Sequence, residues 1–171
     1  MKNYILVKKE DDKMYLQYKT LKVEATIGKN GLTRDLVEGD MKTPIGEFDL
    51  GIAFGIHERC KININEDIPY FKIQDNQYWI DDIHSKFYNQ LIIIDKEPII
   101  SGEHLIDFAN DEYEYAIEIK VNPHNIIGKG SAIMLHCNKR NYTHGCVGIS
   151  RENMIKLLGM IDVNTKIRIE E

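Results

Sequence analysis

A cysteine and a histidine near the carboxyl end of the chain have the types and the spacing that nucleophilic catalysis requires. Cys146 closes the run Thr143-His144-Gly145-Cys146, and His136 ends an apolar run that begins at Ala132. A thiol attacks carbonyl carbon as a thiolate, so it needs an imidazole to take its proton and backbone N–H groups to hold the oxyanion. A glycine just before the cysteine lets the backbone approach a substrate. The pattern predicts Cys146 as the nucleophile and His136 as its base.

Three other interpretations of the cysteines compete with this prediction. Free cysteines are most often small buried hydrophobes, and we expect this of Cys60, in an Arg59 to Ile64 run that resembles a strand, and of Cys137. Cys137 follows His136 directly, so its side chain should point to the opposite face of a strand. A zinc-binding site is the more specific alternative, because four residues are competent ligands: His136, Cys137, His144 and Cys146. A disulfide between Cys137 and Cys146 is the third.

The spacing of these residues argues against metal. The chain has no C-x2-C pair, and adjacent histidine and cysteine side chains cannot easily point at one ion. We therefore expect neither a metal nor a cofactor.

Composition narrows the class of protein. The chain has 171 residues, 22 basic and 27 acidic, with a formal charge of −5, which argues against a nucleic-acid partner. The apolar run at Met1 to Val7 is too short for a signal peptide, and no segment resembles a membrane span. We expect one domain over residues 1–171, a monomer, and, for the sequence as written, a cytoplasmic location.

Hydrophobic residues along the chain alternate mainly with the period of strands. Short runs rich in β-branched and aromatic residues are separated by Gly, Asn, Asp or Pro. The predicted strands are Met14 to Tyr18, Lys22 to Ile27, Lys61 to Ile64, Leu91 to Ile94, Tyr113 to Val121, Ala132 to His136 and Lys166 to Ile169. A helix is predicted over Arg151 to Met160 with Ser150 as its N-cap, and a weaker one over His104 to Asn110. The fold class is therefore mainly β, with mixed sheets packed together and one or two short helices.

Two further segments contain residue types that are typical of turns. Thr43-Pro44 and Gly46 stand between apolar runs and predict a hairpin turn within residues 39 to 48. Asp81 and Asp82 are an adjacent pair that acid-base catalysis or a metal can use, but adjacent carboxylates more often cap turns, and we favour that role. The remaining histidines show no partner pattern and are interpreted as surface or structural residues: His57, His84, His104 and His124.

An ordered set of motifs resembles the L,D-transpeptidase catalytic domain family, also called YkuD-like, in its short stand-alone branch. The histidine strand followed by Thr-His-Gly-Cys is its most specific part, and the resemblance covers about residues 27 to 170. The matching segments are Ile27 to Gly31, Glu38 to Phe48, Ala53 to Gly55, Asp81-Asp82 through Ser85 to Tyr88-Asn89, Gly128 to His136 and Thr143 to Val147.

The resemblance implies a mainly β catalytic domain that binds peptidoglycan stem peptides. In this family a cysteine attacks the carbonyl of an L-centre residue, D-alanine leaves, and an amine resolves the thioester to give a cross-link. Cys146 would be the nucleophile and His136 the base, oriented by the Cys137 carbonyl. Thr143, His144 and Gly145 would shape the turn, and the backbone N–H groups around Gly145 and Cys146 would supply the oxyanion hole. Substrate contacts would come from three residues: Asp82, Tyr88 and Arg140.

Two departures from the family pattern affect the substrate and the compartment. Gly148 stands where the family usually has Arg or Asn. The candidates to replace that side chain are Arg140, Lys139 and Arg151, of which we favour Arg140 because it lies in the loop between His136 and Cys146. Family function implies the cell wall or the cell exterior, whereas this sequence shows no exporting segment. Two alternatives to the transpeptidase remain: an L,D-carboxypeptidase in which water resolves the thioester, acting on stem peptides or muropeptides, and a non-catalytic peptidoglycan-binding module.

Overall fold

The computed structural model describes residues 3–95 and 101–171 of the chain. Met1 and Lys2, the first residues of the amino-terminal run considered above, lie outside the described part. Within that part, no helix has the length and hydrophobicity to span a membrane.

Most of the strands belong to one large mixed sheet. Its order is β13-β12-β11-β6-β14-β1-β2-β3, with β7 paired to β6. Neighbours are antiparallel except at the pairs β1 with β14, β6 with β7 and β12 with β13, which are parallel. These strands are β1 (Tyr4–Glu10), β2 (Lys13–Tyr18), β3 (Leu21–Ala25), β6 (Gly46–Gly55), β7 (Tyr70–Lys72), β11 (Tyr115–Ile119), β12 (Met134–Cys137), β13 (Val147–Ile149) and β14 (Lys166–Ile169).

Two smaller sheets complete the β structure. One has the order β10-β8-β9 and the other pairs β4 with β5 in parallel. Their strands are β4 (Leu32–Thr33), β5 (Thr43–Pro44), β8 (Gln77–Trp79), β9 (Leu91–Ile93) and β10 (Glu103–His104). Three short 3-10 turns lie at Arg59–Lys61, Leu105–Phe108 and Glu112–Glu114. The mainly β prediction with mixed sheets is confirmed.

The helix α1 (Arg151–Leu158) follows β13 and is the α-helix predicted near the carboxyl end. Its N-cap is Ser150, whose hydroxyl accepts a hydrogen bond from the Asn153 N–H at 3.3 Å, as the sequence predicted. Met154, Leu157 and Leu158 are buried, so the apolar face packs on the core. The helix ends at Leu158, two residues before the predicted end.

Several local predictions were wrong. The hairpin expected within residues 39 to 48 does not form, because β5 pairs in parallel with β4 while β6 enters the large sheet. The weaker helix expected over 104–110 is only the 3-10 turn Leu105–Phe108.

The strand predicted over Lys61 to Ile64 is also absent, and a neighbouring arginine explains why. The Arg59 guanidinium donates to the carbonyls of Ile68, Asn65 and Glu66 at 2.8, 3.0 and 2.9 Å, which holds the segment as a loop. Ile62 and Ile64 still pack against the core, and this produces the alternation that resembled a strand. Cys60 lies in the 3-10 turn and is exposed, so its predicted burial is corrected.

The two faces of β12 point to different parts of the molecule. Leu135 and Cys137 belong to the large apolar core formed with α1 and the main sheet. Met134 belongs to a second cluster with Phe54, Trp79 and Tyr113, among others, and the His136 ring lies against Tyr113 on the same side. This alternation, typical of a strand, separates the core from the side that carries the candidate site.

Candidate active site

The turn between β12 and β13 holds Cys146 through a compact set of hydrogen bonds. The Thr143 hydroxyl donates to the Cys146 carbonyl at 2.6 Å and accepts from the Gly145 N–H at 3.1 Å. Gly145 has φ of 141°, and a Cβ there would lie 3.0 Å from the Lys42 carbonyl oxygen. The turn therefore requires glycine before the cysteine, for conformational and steric reasons.

Thr43 supports this turn from the other side, a role that the sequence analysis missed. Its buried hydroxyl donates to the Gly145 carbonyl at 2.7 Å and accepts from the Gly28 N–H at 2.8 Å. One hydroxyl thus joins two backbone segments to the cysteine turn. The sequence pattern predicts a hairpin at Thr43-Pro44, and it gives no sign that the Thr43 side chain supports the cysteine turn.

Two backbone groups hold the Cys146 sulfur. The thiol donates to the Ala132 carbonyl at 3.3 Å, and the Met134 N–H donates to the sulfur at 3.3 Å. Ala132 has φ of 50°, which is uncommon for a residue with a Cβ. The Asn89 side chain accepts from the Ala132 N–H at 3.1 Å, and so it helps to fix this conformation.

His136 is buried on β12, and its ring orientation is set by its neighbour. Nδ1 lies 2.8 Å from the Cys137 carbonyl oxygen, the contact expected from the sequence. A carbonyl accepts only from a protonated ring nitrogen, so Nδ1 carries the proton and Nε2 is the acceptor in the neutral imidazole. Burial lowers the pKa of His136, although the Cys137 carbonyl and the Glu112 charge oppose this effect.

The thiol is protonated in this geometry. Burial raises the pKa of Cys146 to about 12, the Glu103 charge adds to the increase, and the Met134 N–H opposes it. A neutral imidazole and a neutral thiol therefore face the same cavity.

Two cavities meet at Cys146. The first, of about 210 Å³, is lined by His136, Lys139 and Arg140 among others, and we call it the His136 cavity. The second, of about 300 Å³, is lined by Glu38, Asp81 and Ser131 among others, and we call it the Glu38 cavity. Three side chains line both cavities: Glu103, His144 and Cys146.

The residues predicted from the sequence are distributed unevenly around these cavities. Thr143, His144 and Arg140 line the His136 cavity. Asp82 accepts a hydrogen bond from the His84 N–H at 2.9 Å, the turn-capping role favoured above, and its neighbour Asp81 is the member of the pair that lines the Glu38 cavity.

Tyr88 lies behind the wall of the Glu38 cavity. Its side chain is 1% exposed, its hydroxyl donates to Glu38 and accepts from the Gly130 N–H at 3.0 Å, and Ser131 donates to the same carboxylate at 2.8 Å. Burial and the Glu38 carboxylate raise the pKa of Tyr88, so the hydroxyl stays protonated as a donor. The observed contacts give Tyr88 a supporting role beneath the cavity.

A partly buried pair near the cysteine was also missed. The Tyr113 hydroxyl donates to the Glu103 carboxylate, and the Tyr113 ring meets the His136 ring edge-on with centroids 5.8 Å apart. Glu103 is far from His136 and Cys146 along the chain, and it shows no motif of its own. The pairing of β10 with β8 and the hydrogen bond from Tyr113 hold it at the site.

The zinc and disulfide alternatives do not fit the geometry. His136 and Cys137 point to opposite faces of β12, so the four proposed ligands do not converge. All three cysteines are free. Among residues 3–95 and 101–171, no group of three or more His, Cys, Asp or Glu side chains is arranged to hold a metal ion.

Gly148 has a steric reason to lack a side chain. It forms a bridge with Thr26, through hydrogen bonds of 2.8 and 2.9 Å, and pairs with His136 across the parallel strands. A Cβ on Gly148 would lie 2.5 Å from the Thr26 hydroxyl oxygen. A side chain at this position would therefore force Thr26, and the bridge that it forms with Gly148, to shift.

Comparison with known proteins adds a family assignment. A family model described as the L,D-transpeptidase catalytic domain, YkuD, matches residues 2–169. A search of solved structures finds Mycobacterium tuberculosis L,D-transpeptidase 1, with 13% sequence identity, a TM-score of 0.43, and coverage of 97% of this chain and 60% of that chain. The chain thus spans 60% of that protein's length. A search of curated proteins gave no match.

Proposed function

This chain belongs to the L,D-transpeptidase catalytic domain family, and from this premise we propose that it cross-links peptidoglycan stem peptides with Cys146 as its nucleophile. The observation that carries the proposal is the shared cavity of Cys146 and His136. The imidazole there has its Nδ1 hydrogen committed to the Cys137 carbonyl, so Nε2 is the nitrogen left to accept a proton.

Acylation begins with the neutral pair. As the sulfur attacks the carbonyl carbon of the L-centre residue, the thiol proton passes to His136 Nε2. The imidazolium then protonates the departing amine, the bond to D-alanine breaks, and a thioester with Cys146 remains. Because both groups start uncharged, charge separation occurs only as the C–S bond forms, and the oxyanion needs hydrogen-bond donors at that moment.

The oxyanion donors differ in part from the sequence expectation. Gly145 and Cys146 were both expected to supply N–H groups, but the Gly145 N–H already donates to Thr143. We therefore propose that the Cys146 N–H is the main backbone donor at the turn. Its proximity to the sulfur is consistent with its lowering effect on the thiol pKa.

The terminal carboxylate of the stem peptide requires a cation near the leaving group. Arg140 and Lys139 line the His136 cavity, and Gly148 supplies no side chain there. We propose that Arg140 binds this carboxylate, since a guanidinium matches carboxylate geometry in a bidentate manner. Lys139 is paired with Asp111, which makes it the less available of the two.

Mass spectrometry of products and of the protein tests the proposal. The purified chain is incubated with a disaccharide tetrapeptide that ends in D-alanine, and the same reaction is run with Cys146→Ala. The wild type is expected to show an acyl adduct on Cys146, free D-alanine and a peptide dimer, and the variant none of these. Release of D-alanine without dimer would indicate the carboxypeptidase alternative instead.

A carbapenem provides a second probe of the same residue. Acylation of Cys146 by this electrophile, mapped by peptide digestion, is expected in the wild type. A wild-type protein that gave neither this adduct nor a stem-peptide adduct would be a non-catalytic binding module.

That the chain acts as one domain and as a monomer remains a prediction, which sedimentation and limited proteolysis can check.

A further inference from the structure

Glu103 occupies a position that the acylation mechanism does not use. It lies on β10, pairs with Trp79 on β8, and lines both the His136 cavity and the Glu38 cavity together with Cys146. Its carboxylate accepts from the Tyr113 hydroxyl, and the Tyr113 ring abuts the His136 ring. The carboxylate is therefore held at the wall beside the thiol.

The two cavities differ in charge on either side of Glu103. Lys139, Arg140 and Glu112 line the His136 cavity but not the Glu38 cavity, so two cations there accompany one carboxylate, whereas the carboxylates Glu38 and Asp81 line only the Glu38 cavity. A substrate carboxylate suits the first, and a cationic group suits the second. The cavity on the acidic side is also lined by Cys146.

The surroundings of Glu103 make it a stronger base than an ordinary carboxylate. Burial raises the pKa of Glu103 to about 7, and the charges of Asp81, Glu38 and Glu112 act in the same direction. The hydrogen bond from Tyr113 opposes the increase without cancelling it. At neutral pH such a carboxylate is able both to take and to release a proton.

Resolution of a thioester by an amine involves two protons. The acceptor arrives as an ammonium ion, which has no lone pair and must lose one proton before it attacks. The second proton leaves the nitrogen as the C–N bond forms. His136 suits the second transfer, since it lines the same cavity as Cys146, but one imidazole cannot take both protons in sequence without releasing the first.

We propose, on the basis of the proposed transpeptidase function, that Glu103 is the catalytic base that takes the first proton from the acceptor ammonium, which enters through the Glu38 cavity. An N–H bond of the ammonium breaks and an O–H bond forms on Glu103. The freed lone pair attacks the thioester carbonyl, the C–N bond forms and the C–S bond breaks. His136 carries the second proton to the sulfur, and Glu103 returns its proton to solvent.

A single-turnover experiment on preformed acyl-enzyme tests this role. Wild type and Glu103→Gln are acylated by the tetrapeptide, and D-alanine release is measured first. The acyl-enzymes then receive either a D-amino acid, whose amine is an ammonium ion at neutral pH, or hydroxylamine, which is unprotonated there. Reaction of hydroxylamine with unfolded acyl-enzyme is subtracted.

Glu103→Gln is expected to acylate within a few-fold of wild type and to transfer to the D-amino acid about 100-fold more slowly, the usual loss for a general base. Transfer to hydroxylamine is expected to stay near the wild-type rate. Glu118→Gln is the matched control, because Glu118 is also a carboxyl whose pKa burial raises but it lines a different cavity. This control is expected to match wild type with both acceptors.

The outcomes separate the inference from the proposed function. If Glu103→Gln acylates normally and transfers to the D-amino acid at the wild-type rate, the role of Glu103 is refuted while the transpeptidase stands. An equal slowing with both acceptors would make Glu103 merely structural and would also refute the role. If wild type forms no acyl-enzyme, the proposed function fails, and this inference fails with it.

A measurement on the wild type keeps the test valid if the variant does not fold. Transfer to the D-amino acid is expected to follow an ionisation of the acyl-enzyme near pH 7, and transfer to hydroxylamine is expected to lack it. Identical pH profiles for the two acceptors would overturn the role of Glu103.

Discussion

Cys137 ends β12 and Cys146 directly precedes β13, yet the surroundings of the two thiols give them different access to a substrate. Burial raises both pKa values, to about 11 for Cys137 and to about 12 for Cys146. Cys137 points into the large core and lies 3.7 Å from the Tyr115 carbonyl, whereas Cys146 opens on two cavities. Access to a cavity that an imidazole also lines distinguishes the two thiols, and a perturbed pKa alone does not.

Substitution of each cysteine by alanine gives the largest expected contrast. Cys146→Ala removes the attacking atom, so acylation by the stem peptide should fall below detection. Cys137→Ala should keep its acylation rate but lower the free energy of unfolding by about 1–2 kcal/mol, because it leaves a small void in the core. Intact-protein mass spectrometry and urea denaturation measure the two effects.

The reverse result would break the comparison. Retained acylation in Cys146→Ala, or a loss of acylation in a folded Cys137→Ala, would mean that Cys146 is not the nucleophile and that Cys137 takes part in the reaction. Cys60→Ala is the control for general thiol effects, since Cys60 is exposed and should change neither quantity.

His136→Gln is expected to have the next largest effect. Glutamine retains an amide that can donate to the Cys137 carbonyl but lacks a basic nitrogen, so acylation should slow by about 10²–10⁴. The rate of D-alanine release in the first turnover measures it. His57→Gln is a matched control, because His57 pairs with Glu114 and lies outside both cavities; a similar loss there would count against His136 as the specific base.

The features of the site that could be predicted are those determined by residues close together in the sequence. A turn with glycine before cysteine, a strand that ends in histidine, and a serine N-cap all depend on neighbours in the chain. Alternation along β12 likewise placed Cys137 on the opposite face from His136. Local sequence was sufficient because each of these features is fixed by backbone geometry within a few residues.

The missed residues depend on contacts between distant segments. Thr43 is joined to Gly145, 102 positions away, and Glu103 is held at the site by the pairing of β10 with β8 and by Tyr113. Neither contact leaves a local pattern. Gly148 is intermediate, because the departure from the family pattern was visible in the sequence but its cause, close approach to Thr26, required coordinates.

Thr43→Val tests whether the distant support matters to the chemistry. Valine has nearly the same shape but leaves the Gly28 N–H and the Gly145 carbonyl without their partner, which should lower the free energy of unfolding by about 1–3 kcal/mol. Acylation should also slow, because the turn that carries Cys146 loses its anchor. Thr43→Ser retains the hydroxyl and should recover most of both quantities; failure of serine to do so would show that the methyl group, and not the hydrogen bonds, supports the turn.

The smallest expected effect is on the pH dependence of acylation, and it should distinguish two glutamates, Glu112 and Glu114. The imidazole accepts a proton only when it is neutral, that is, above its own pKa, and burial lowers the pKa of His136 below its usual value of 6.5. The acid limb of the acylation rate should therefore have its midpoint below pH 6.5. The Glu112 charge raises this pKa, so Glu112→Gln should move the limb to still lower pH. Glu114 instead raises the pKa of Cys137, so Glu114→Gln should leave the limb in place. Acylation profiles from pH 4 to pH 8 for the three proteins decide between these outcomes, and equal shifts in both variants would show that the two faces are not electrostatically separate.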